Sequence, residues 1–309
     1  MNTAGYVLGY FMRIRIALMT IDIALPFYGD VDFMKQTVNS IRNQTDSAWR
    51  LVVVDDGYPD DSLPGWFSDL NDSRITYLRN DNNLGANGNF QKCLGLLSAD
   101  FCIVMGADDV LEPDFVAVVK KTIRDHPDVS MVHPSVTVID QTNSQILTRS
   151  DDVKSKIRNS HIGGTVLFGE TLASSLMKGN WMYFPAITWR TKTIQEIGFR
   201  PGFKVCQDLG LAMDLIMQGG KMVLIEDEIF RYRRHTGSDS SIKAINGERF
   251  VDEKNFFSAM ARDLKVIGWN KAARAARIHA TSRLHAASLI PACISRGQNP
   301  WPLLRHLFL

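Results

Sequence analysis

The sequence predicts an α/β protein built on a mostly parallel, doubly wound sheet, with a helical extension at the C-terminal end. Three observations support this prediction. Short apolar, β-branched runs of the kind found in buried parallel strands alternate with segments of helical periodicity over the first half of the chain. Acidic pairs, Asp55-Asp56 and Asp108-Asp109, directly follow two of these runs. Because open α/β sheets bind ligands beyond the carboxyl ends of their strands, we expect a ligand site at that edge.

The first strand, helix and second strand follow one another closely. Residues 21–25 predict a strand that ends at Pro26. Asp30 is placed as the N-cap of a helix, since apolar residues recur after it at spacings of three and four until Gln44. Residues 51–54 are all apolar and predict the second strand.

Two further strands complete the predicted first half. Residues 75–78 predict the third strand, after a short helix near Trp66. Residues 101–105 predict the fourth, after a helix over 90–97. The loop at 80–88 is rich in Asn and Gly, which tolerate left-handed backbone and can bring amide groups close to a ligand. All of these polar loops gather on one edge of the sheet.

Composition excludes several classes of protein. The chain has 309 residues, of which 45% are hydrophobic and 22% charged, as in ordinary globular domains. Its four cysteines lack C-x-x-C spacing, which argues against a disulfide framework or a zinc site. No apolar run approaches the roughly 18 residues of a membrane span, and the N-terminus lacks a signal-peptide pattern. We therefore expect a cytoplasmic protein.

The pair Asp108-Asp109 is the main candidate for chemistry. Two adjacent carboxylates repel each other, so a fold that keeps both at a cleft usually supplies a cation beside them. A hard divalent ion bound to a diphosphate is the simplest candidate. The alternative is that one of these acids caps the helix that begins near Pro113.

The C-terminal segment is basic. Residues 264–309 contain seven Lys or Arg and no acid. Helices are predicted over 250–267 and 272–290, the second stopped by Pro291, before an apolar-rich tail that starts at Trp301. Such a segment suits the surface of an anionic membrane, and packing on the rest of the chain or on a second subunit fits it equally. Nucleic acid is not expected as a partner, because no aromatic and basic stacking pattern is present.

The loops of the predicted sheet edge form an ordered series of motifs. They are Pro26-Phe27-Tyr28, Asp55-Asp56, Asn83-Leu84-Gly85 and Asp108-Asp109. The second half continues the series with Trp181 to Arg190, Glu196 to Phe199, Gln207-Asp208-Leu209 and Tyr232 to Ser238. In this order the segments resemble the family-2 glycosyltransferases of GT-A fold, over roughly residues 19 to 241.

The resemblance implies a binding site for a nucleotide sugar. The implied binding residues are Pro26, Tyr28, Asp55, Asp56, Asn83, Gly85 and Asp108. Asp55-Asp56 would contact the base and ribose, and Asp108-Asp109 would hold Mg²⁺ or Mn²⁺ against the diphosphate. His235 lies in the loop that closes over the diphosphate and is a further candidate metal ligand, with an ordinary loop histidine as the alternative. Gly106 stands where many relatives have the first Asp of Asp-x-Asp, which leaves open which oxygen ligates the metal.

Asp208 matches the acid that the family uses as general base on the acceptor hydroxyl. Its structural alternative is an acid that favours the dipole of the helix it opens. Asp214 on the same predicted helix is expected to be solvated. Trp181 either stacks on a sugar or packs the domain. His133 and His161 are expected to be structural.

The predicted function is metal-dependent, inverting transfer of a sugar from a nucleoside diphosphate to a saccharide or lipid-linked acceptor, in cell-surface polysaccharide or glycolipid synthesis. A carboxylate that takes the acceptor proton typically raises the reaction rate by about 10²- to 10⁴-fold. A non-catalytic nucleotide- or sugar-binding module is the main alternative. A nucleotidyltransferase is disfavoured because the first loop lacks a basic residue, and a dinucleotide oxidoreductase because G-x-G-x-x-G is absent.

The predicted organisation has three parts. Residues 1–18 lack a clear period and indicate either an upstream start or a weakly ordered N-terminal extension. Residues 19–241 form the catalytic domain, and residues 242–309 form the basic helical region, which gives possible peripheral contact with the inner face of the cell membrane.

Overall fold

The computed structural model describes residues 19–161, 166–203, 205–234 and 248–308. Its contacts divide the chain into two compact units. The first unit contains the chain up to Ile139, Tyr183–Glu196 and Met222–Arg233, and the second contains Asp140–Met182, Ile197–Lys221 and the chain from Arg234 onward. The predicted extension at 1–18, the predicted boundary between 241 and 242, and His235 lie outside the described residues.

The predicted mostly parallel, doubly wound sheet is confirmed. The strands are β1 (Ile21–Phe27), β2 (Trp49–Asp55), β3 (Ile75–Arg79), β4 (Phe101–Val104), β5 (Val110–Leu111), β6 (Met131–Ile139), β7 (Val166–Phe168), β8 (Thr188–Arg190) and β9 (Lys221–Arg233). The first unit holds eight of them in the order β3-β2-β1-β4-β8-β6-β9-β5, and β7 belongs to the second unit. The first four of this order pair in parallel, whereas β8 runs antiparallel to both β4 and β6.

Helices surround the sheet in the first unit and build most of the second. They are α1 (Val31–Arg42), α2 (Leu63–Asp69), α3 (Gly85–Leu96), α4 (Phe115–Asp125), α5 (Arg149–Asn159), α6 (Gly169–Lys178), α7 (Thr191–Ile197), α8 (Gln207–Met217), α9 (Glu248–Val266), α10 (Asn270–Ile278), α11 (Ala280–Ser295) and α12 (Trp301–Phe308). None of the helices in the described part of the chain is both long and apolar enough to cross a membrane.

Local sequence explains why α1 begins where it does. The Asp30 carboxylate accepts a hydrogen bond from the backbone N–H of Phe33 at 2.9 Å, which confirms the predicted N-cap. Met34, Val38 and Ile41 then form the buried face of the helix. This periodic face packs α1 on the sheet and fixes the loop before it, which carries the first polar motif.

A buried ion pair ties β1 to β2. Asp22 is 1% exposed and accepts two hydrogen bonds from Arg50, at 2.9 and 2.7 Å. Its Oδ2 also accepts from the backbone N–H groups of Ser98 and Ala99, just before β4. With so many donors, a charge at this depth is compensated, and it aligns three adjacent strands.

The C-terminal helices differ from the prediction of one helix over 272–290. The structure breaks that segment at His279, which adopts a left-handed conformation with φ of 32° and separates α10 from α11. Pro291 was expected to end the helix, but it lies inside α11, which continues to Ser295. Pro291 is exposed and lies one turn before the helix end, so it removes a hydrogen bond to the Ala287 carbonyl without ending the helix.

Candidate active site

The carboxyl ends of the parallel strands bring the first polar motifs together. Phe27 at the end of β1 lies in register with Asp55 at the end of β2, and Asp55 is in register with Arg79 at the end of β3. The Asp56 N–H donates to the Phe27 carbonyl at 2.9 Å, and the Asn80 N–H donates to the Asp55 carbonyl at 2.8 Å. The loops that follow these three strands therefore share one edge of the sheet, as predicted from the sequence.

Asp55 is fully buried and organises its neighbours. Its Oδ1 accepts from the Tyr58 N–H at 2.8 Å, and its Oδ2 accepts from the Tyr77 hydroxyl at 2.5 Å. Burial and the hydrogen bond to Asp55 raise the pKa of Tyr77, so that its hydroxyl stays a donor. Tyr58 in turn packs edge-on against Tyr28, which is 57% exposed at this edge. The pair Asp55 and Tyr58 thus holds an exposed aromatic ring in place.

Asp56 shapes the loop that carries Asn83 and Gly85. It is 2% exposed, and its Oδ1 accepts from Asn80 Nδ2 at 2.7 Å and from the Leu84 N–H at 2.8 Å. Asn83 closes the loop by accepting from the Gly85 N–H at 2.8 Å, and both residues remain exposed. Gly85 has φ of 71°, which favours glycine. Contact of Asp55 or Asp56 with a base or ribose stays a prediction, since the structure shows these carboxylates holding protein groups.

Asp108 and Asp109 follow β4 and turn their carboxylates toward Gly106. Asp109 is 1% exposed and its Oδ1 accepts from the Arg233 N–H at 2.9 Å. Its Oδ2 is buried and has no hydrogen-bond partner among the described residues. Burial, and then the neighbouring Asp108 carboxylate, raise the pKa of Asp109 well above its ordinary value.

These two acids fit a divalent cation. The buried Oδ2 of Asp109 has no hydrogen-bond donor in the described part of the chain and lies beside a second carboxylate, so the charged form of Asp109 is disfavoured despite the nearby Arg233. Oxygen ligands are those that Mg²⁺ and Mn²⁺ prefer. Among the described residues no group of three or more His, Cys, Asp or Glu surrounds a common point. A metal here would therefore complete its shell with water or phosphate oxygens, as Mg²⁺ often does.

Arg233 clamps this acidic turn, and sequence reasoning did not assign it that role. Besides its backbone bond to Asp109, its Nε donates to the Asp108 carbonyl at 2.7 Å. Its guanidinium also donates to Gln36 Oε1 at 3.2 Å and lies 4.4 Å from the centre of the Phe33 ring. Arg233 therefore links the acids after β4 to α1. The motif Tyr232 to Ser238 pointed to this segment, but not to this contact.

The second unit holds the predicted catalytic acid, Asp208, in the first turn of α8. The side chain is partly buried, and no described side chain donates a hydrogen bond to its carboxylate. Burial raises the pKa of Asp208, although nearby Lys154 and Arg249 oppose that shift. A partly accessible carboxylate with a raised pKa between two cations is chemically suited to accept a proton.

Lys154 is a second site residue that sequence reasoning missed. Burial lowers the pKa of Lys154 to about 8, with further lowering by Arg234. Its Nζ donates to the Met182 carbonyl at 3.0 Å. One turn before it on α5, Asp151 is buried and binds Arg234 through two hydrogen bonds of 3.0 and 2.7 Å. The Asp151 and Lys154 spacing of three residues was the only signal in the sequence that both lie on one helix face.

Other predicted residues have structural surroundings. Trp181 is fully buried and donates to Ser175 Oγ at 3.0 Å, so it packs its unit, the second of the two alternatives. His133 is fully buried and accepts from the Tyr183 N–H at 3.0 Å, as expected for a structural histidine. The prediction that Asp214 is solvated is wrong: Arg200 binds it through hydrogen bonds of 2.7 and 2.5 Å.

Comparison with known proteins places the chain in a family. The model of the family described as Glycosyl transferase family 2 matches residues 22–184, which is more than half of the chain. The abequosyltransferase RfbV of Salmonella typhimurium is 28% identical over 116 residues, covering 36% of this chain and 34% of that enzyme. The putative colanic acid biosynthesis glycosyl transferase WcaA of Escherichia coli is 28% identical over 99 residues, covering 32% of this chain and 36% of that protein. Each of these matches spans about a third of the relative's length.

Solved structures agree on the fold. A mannosyltransferase from Pyrobaculum calidifontis, solved in complex with GDP-Man and Mn²⁺, superposes with a TM-score of 0.60 at 17% identity, over 91% of this chain and 76% of that chain. The common architecture is the GT-A fold. Given the family match over more than half of its length, the chain belongs to glycosyl transferase family 2.

Proposed function

We propose that this glycosyltransferase is metal-dependent and inverting, and that it moves a sugar from a nucleoside diphosphate to an acceptor hydroxyl. The observation that carries the proposal is the acidic turn after β4. Asp109 keeps one buried carboxylate oxygen without a donor among the described residues, next to the carboxylate of Asp108. A site of this kind suits a cation, and the Pyrobaculum relative of the same fold was solved in complex with Mn²⁺ and GDP-Man.

The donor nucleotide would lie along the edge formed after β1, β2 and β3. Exposed Tyr28 offers an aromatic face there, and the loop that Asp56 holds exposes Asn83 and Gly85. A bound divalent ion would neutralise the negative charge that develops on the leaving diphosphate. Arg233 would keep Asp108 and Asp109 in the orientation needed to hold that ion.

Asp208 would act as the general base. An acceptor hydroxyl is a poor nucleophile at neutral pH, so a carboxylate must take its proton as the new bond forms. The raised pKa of Asp208 makes it a better proton acceptor than an ordinary aspartate, and the cations Lys154 and Arg249 favour its ionised form. Attack from the face opposite the leaving group would invert the anomeric carbon.

The names of the relatives and the C-terminal helices support a proposal for the acceptor class. The names of the Salmonella and Escherichia relatives, an abequosyltransferase and a colanic acid biosynthesis enzyme, support a role in cell-surface polysaccharide or glycolipid synthesis. Leu284, Ile294 and Trp301 are 69%, 58% and 63% exposed on or next to the basic helices α11 and α12. Exposed apolar residues among cations suit peripheral contact with an anionic membrane.

A non-catalytic binding module is the second candidate, favoured by the glycine at position 106.

The test is thermal unfolding with UDP, GDP and dTDP, each with and without Mn²⁺. A nucleotide at a hundred times its dissociation constant should stabilise the fold by about 2.7 kcal/mol. The variant Asp108→Asn/Asp109→Asn should lose the shift, whereas Asp114→Asn/Asp125→Asn, with the same charge change on exposed acids, should keep it.

The proposal fails if no nucleotide in this panel shifts the melting temperature with metal, or if the two double variants respond alike. Product analysis then separates the enzyme from the binding module. An enzyme releases free nucleoside diphosphate from its sugar donor when acceptor is added, and the Asp208→Asn variant should not.

A further inference from the structure

A groove in the second unit gathers positive charge outside the residues assigned to sugar transfer. It encloses about 370 Å³ between α9, α10 and the start of α11. Five cations and one histidine line it, and they are Lys254, Arg262, Lys265, Arg277, Arg283 and His279. Its other lining residues among those described are Ser and Ala, so no acid offsets these charges within the groove.

The helices build this groove from regular spacing. Lys254, Arg262 and Lys265 lie eight and three residues apart on α9, which places them on one face of the helix. Arg277 is in the last turn of α10. The left-handed break at His279 turns the chain so that Arg283, in the first turns of α11, joins the same wall.

Acids on α9 are occupied elsewhere. Glu253 binds Arg249 and the Ser282 hydroxyl, and Asp263 binds Arg200 at 2.9 Å. Asp252 accepts from the Val205 N–H at 2.8 Å. No described residue forms an ion pair with the four groove cations Lys254, Arg262, Lys265 and Arg277.

The wall is rigid at its centre. His279 is 5% exposed, and its Nδ1 lies 3.1 Å from the Ala276 carbonyl. Its Nε2 accepts from Arg283 Nε at 3.3 Å, and a second guanidinium nitrogen of Arg283 donates to the Leu307 carbonyl at 3.3 Å. Arg283 is therefore fixed before any ligand binds, which lowers the entropic cost of binding.

Like charges held this close repel one another, and an anion relieves that repulsion. Several cations in one concave site match a ligand with more than one negative charge, and Lys and Arg both bind phosphate oxygens. Aromatic side chains, on which nucleic acid bases would stack, do not line the described groove. We propose that the groove between α9, α10 and α11 binds phosphate groups, at a site that takes no part in donor binding or catalysis.

Two sources share this chemistry. One is a soluble diphosphate or phosphate-bearing glycan. The other is the headgroup of an anionic lipid, because Val266, Ile267 and Ile278 are 86%, 45% and 47% exposed directly beside Lys265 and Arg277. Since the groove shares no residue with Asp108, Asp109 or Asp208, the inference stands or falls independently of the proposed sugar transfer.

The test compares two charge-matched variants of the full chain. Lys265→Glu/Arg277→Glu reverses two exposed groove cations, and Arg274→Glu/Arg296→Glu reverses two exposed cations outside the groove. Binding of inorganic pyrophosphate is measured by calorimetry in EDTA, which keeps divalent metal away from Asp108 and Asp109. Binding to phosphatidylglycerol vesicles, with phosphatidylcholine vesicles as reference, is measured by co-sedimentation. Both use about 0.15 M salt, where surface charges are screened.

We expect the wild type and the Arg274→Glu/Arg296→Glu variant to bind alike, and the groove variant to bind at least tenfold more weakly. Loss confined to pyrophosphate identifies a soluble phosphate ligand, and loss confined to vesicles identifies lipid. If the groove variant unfolds, Arg262→Gln replaces it in the test. This milder change at an exposed residue should weaken binding of the same ligand. Absence of binding by the wild type to both probes, or equal weakening in both double variants, overturns the proposal.

Discussion

The Oδ2 oxygen of Asp109 lies only 2.6 Å from the point where a Cβ would stand on Gly106. Asp108 Oδ1 is 2.9 Å from the same point. Real Cβ contacts are essentially never this short, so the two carboxylates occupy the space that a side chain at position 106 would need. The glycine that departs from the family pattern is thus the condition for this arrangement of the acids.

Gly106→Ala should disturb the acidic turn. Asp109 cannot move freely, because its other oxygen is bound to the Arg233 N–H and the residue is buried. We expect the Mn²⁺-dependent affinity for the nucleotide to fall at least tenfold, which corresponds to about 1.4 kcal/mol. Calorimetric titration of the nucleotide at fixed Mn²⁺ measures it.

Gly95→Ala is the matched control. Gly95 lies in α3, is exposed and has nothing within 4 Å of a built Cβ. Its substitution should leave nucleotide affinity unchanged and stabilise the helix by up to about 1 kcal/mol. Equal metal dependence in the two variants would show that the position of the carboxylates does not matter for binding.

Asp208→Asn should separate catalysis from folding. If Asp208 takes the acceptor proton, turnover should fall by about 10²- to 10⁴-fold while donor affinity stays the same. Because burial raises the pKa of Asp208, its ionised form opposes folding above that pKa, and the neutral amide removes this penalty. The melting temperature at pH 7.5 should therefore not decrease.

Asp214→Asn, on the same helix, should destabilise the fold and leave turnover unchanged. It removes the negative charge and one of the two oxygens that accept from Arg200, which we expect to cost about 1–3 kcal/mol of unfolding free energy. Turnover per folded molecule should remain close to that of the wild type. A large loss of turnover in both variants, with similar destabilisation, would assign Asp208 to structure rather than to catalysis.

Lys154→Met should change the pH dependence of the reaction. The positive charge of Lys154 lowers the pKa of Asp208, so its removal lets that pKa rise further. The base then protonates at a higher pH, so the acid limb of the kcat/KM profile should move to higher pH relative to the wild type. Lys156→Met, which removes an exposed lysine from the same helix, should leave the pH profile unchanged. If the two variants have identical acid limbs in their pH profiles, Lys154 does not influence the pKa of the general base.

Much of the fold was predictable because its signals are local. The runs at 51–54 and 101–105 are apolar enough to be buried parallel strands, and Asp30 caps the helix that its own neighbours form. The acids after β2 and β4 could be placed on one edge, because parallel strands end on the same side of a sheet.

Contacts between distant residues could not be predicted in the same way. Arg233 binds Asp109 across 124 residues of sequence, and no period or cap relates them. Lys154 lies in a polar segment that reads as a solvated helix, yet it donates to the Met182 carbonyl and is desolvated. The helix break at His279 could not be predicted, because no Gly or Pro marks it in the sequence. Instead, the His279 ring stacks on Phe257 at 5.1 Å and accepts a hydrogen bond from Arg283. Tertiary packing overrides local propensity at these positions.

His306 connects the C-terminal helix to a buried polar chain. It is 3% exposed, and its Nε2 lies 2.7 Å from Ser282 Oγ, which in turn is bound to Glu253. Its Nδ1 is buried with no partner among the described residues, so a proton added there would be an unpaired buried charge. Burial, with a contribution from His279, lowers the pKa of His306 to about 4.

This predicts acid sensitivity of the second unit. In the unfolded chain the pKa of His306 returns to about 6.5, so the unfolded state binds the extra proton first. The contribution of neutral His306 is fully present above pH 6.5 and is lost as the pH falls toward 4, by about 3 kcal/mol in all. His306→Gln cannot titrate, so its unfolding free energy, measured with urea between pH 7.5 and 4.5, should fall less steeply than that of the wild type. Parallel curves for the wild type and His306→Gln would mean that His306 is protonated in the folded chain as readily as in the unfolded one.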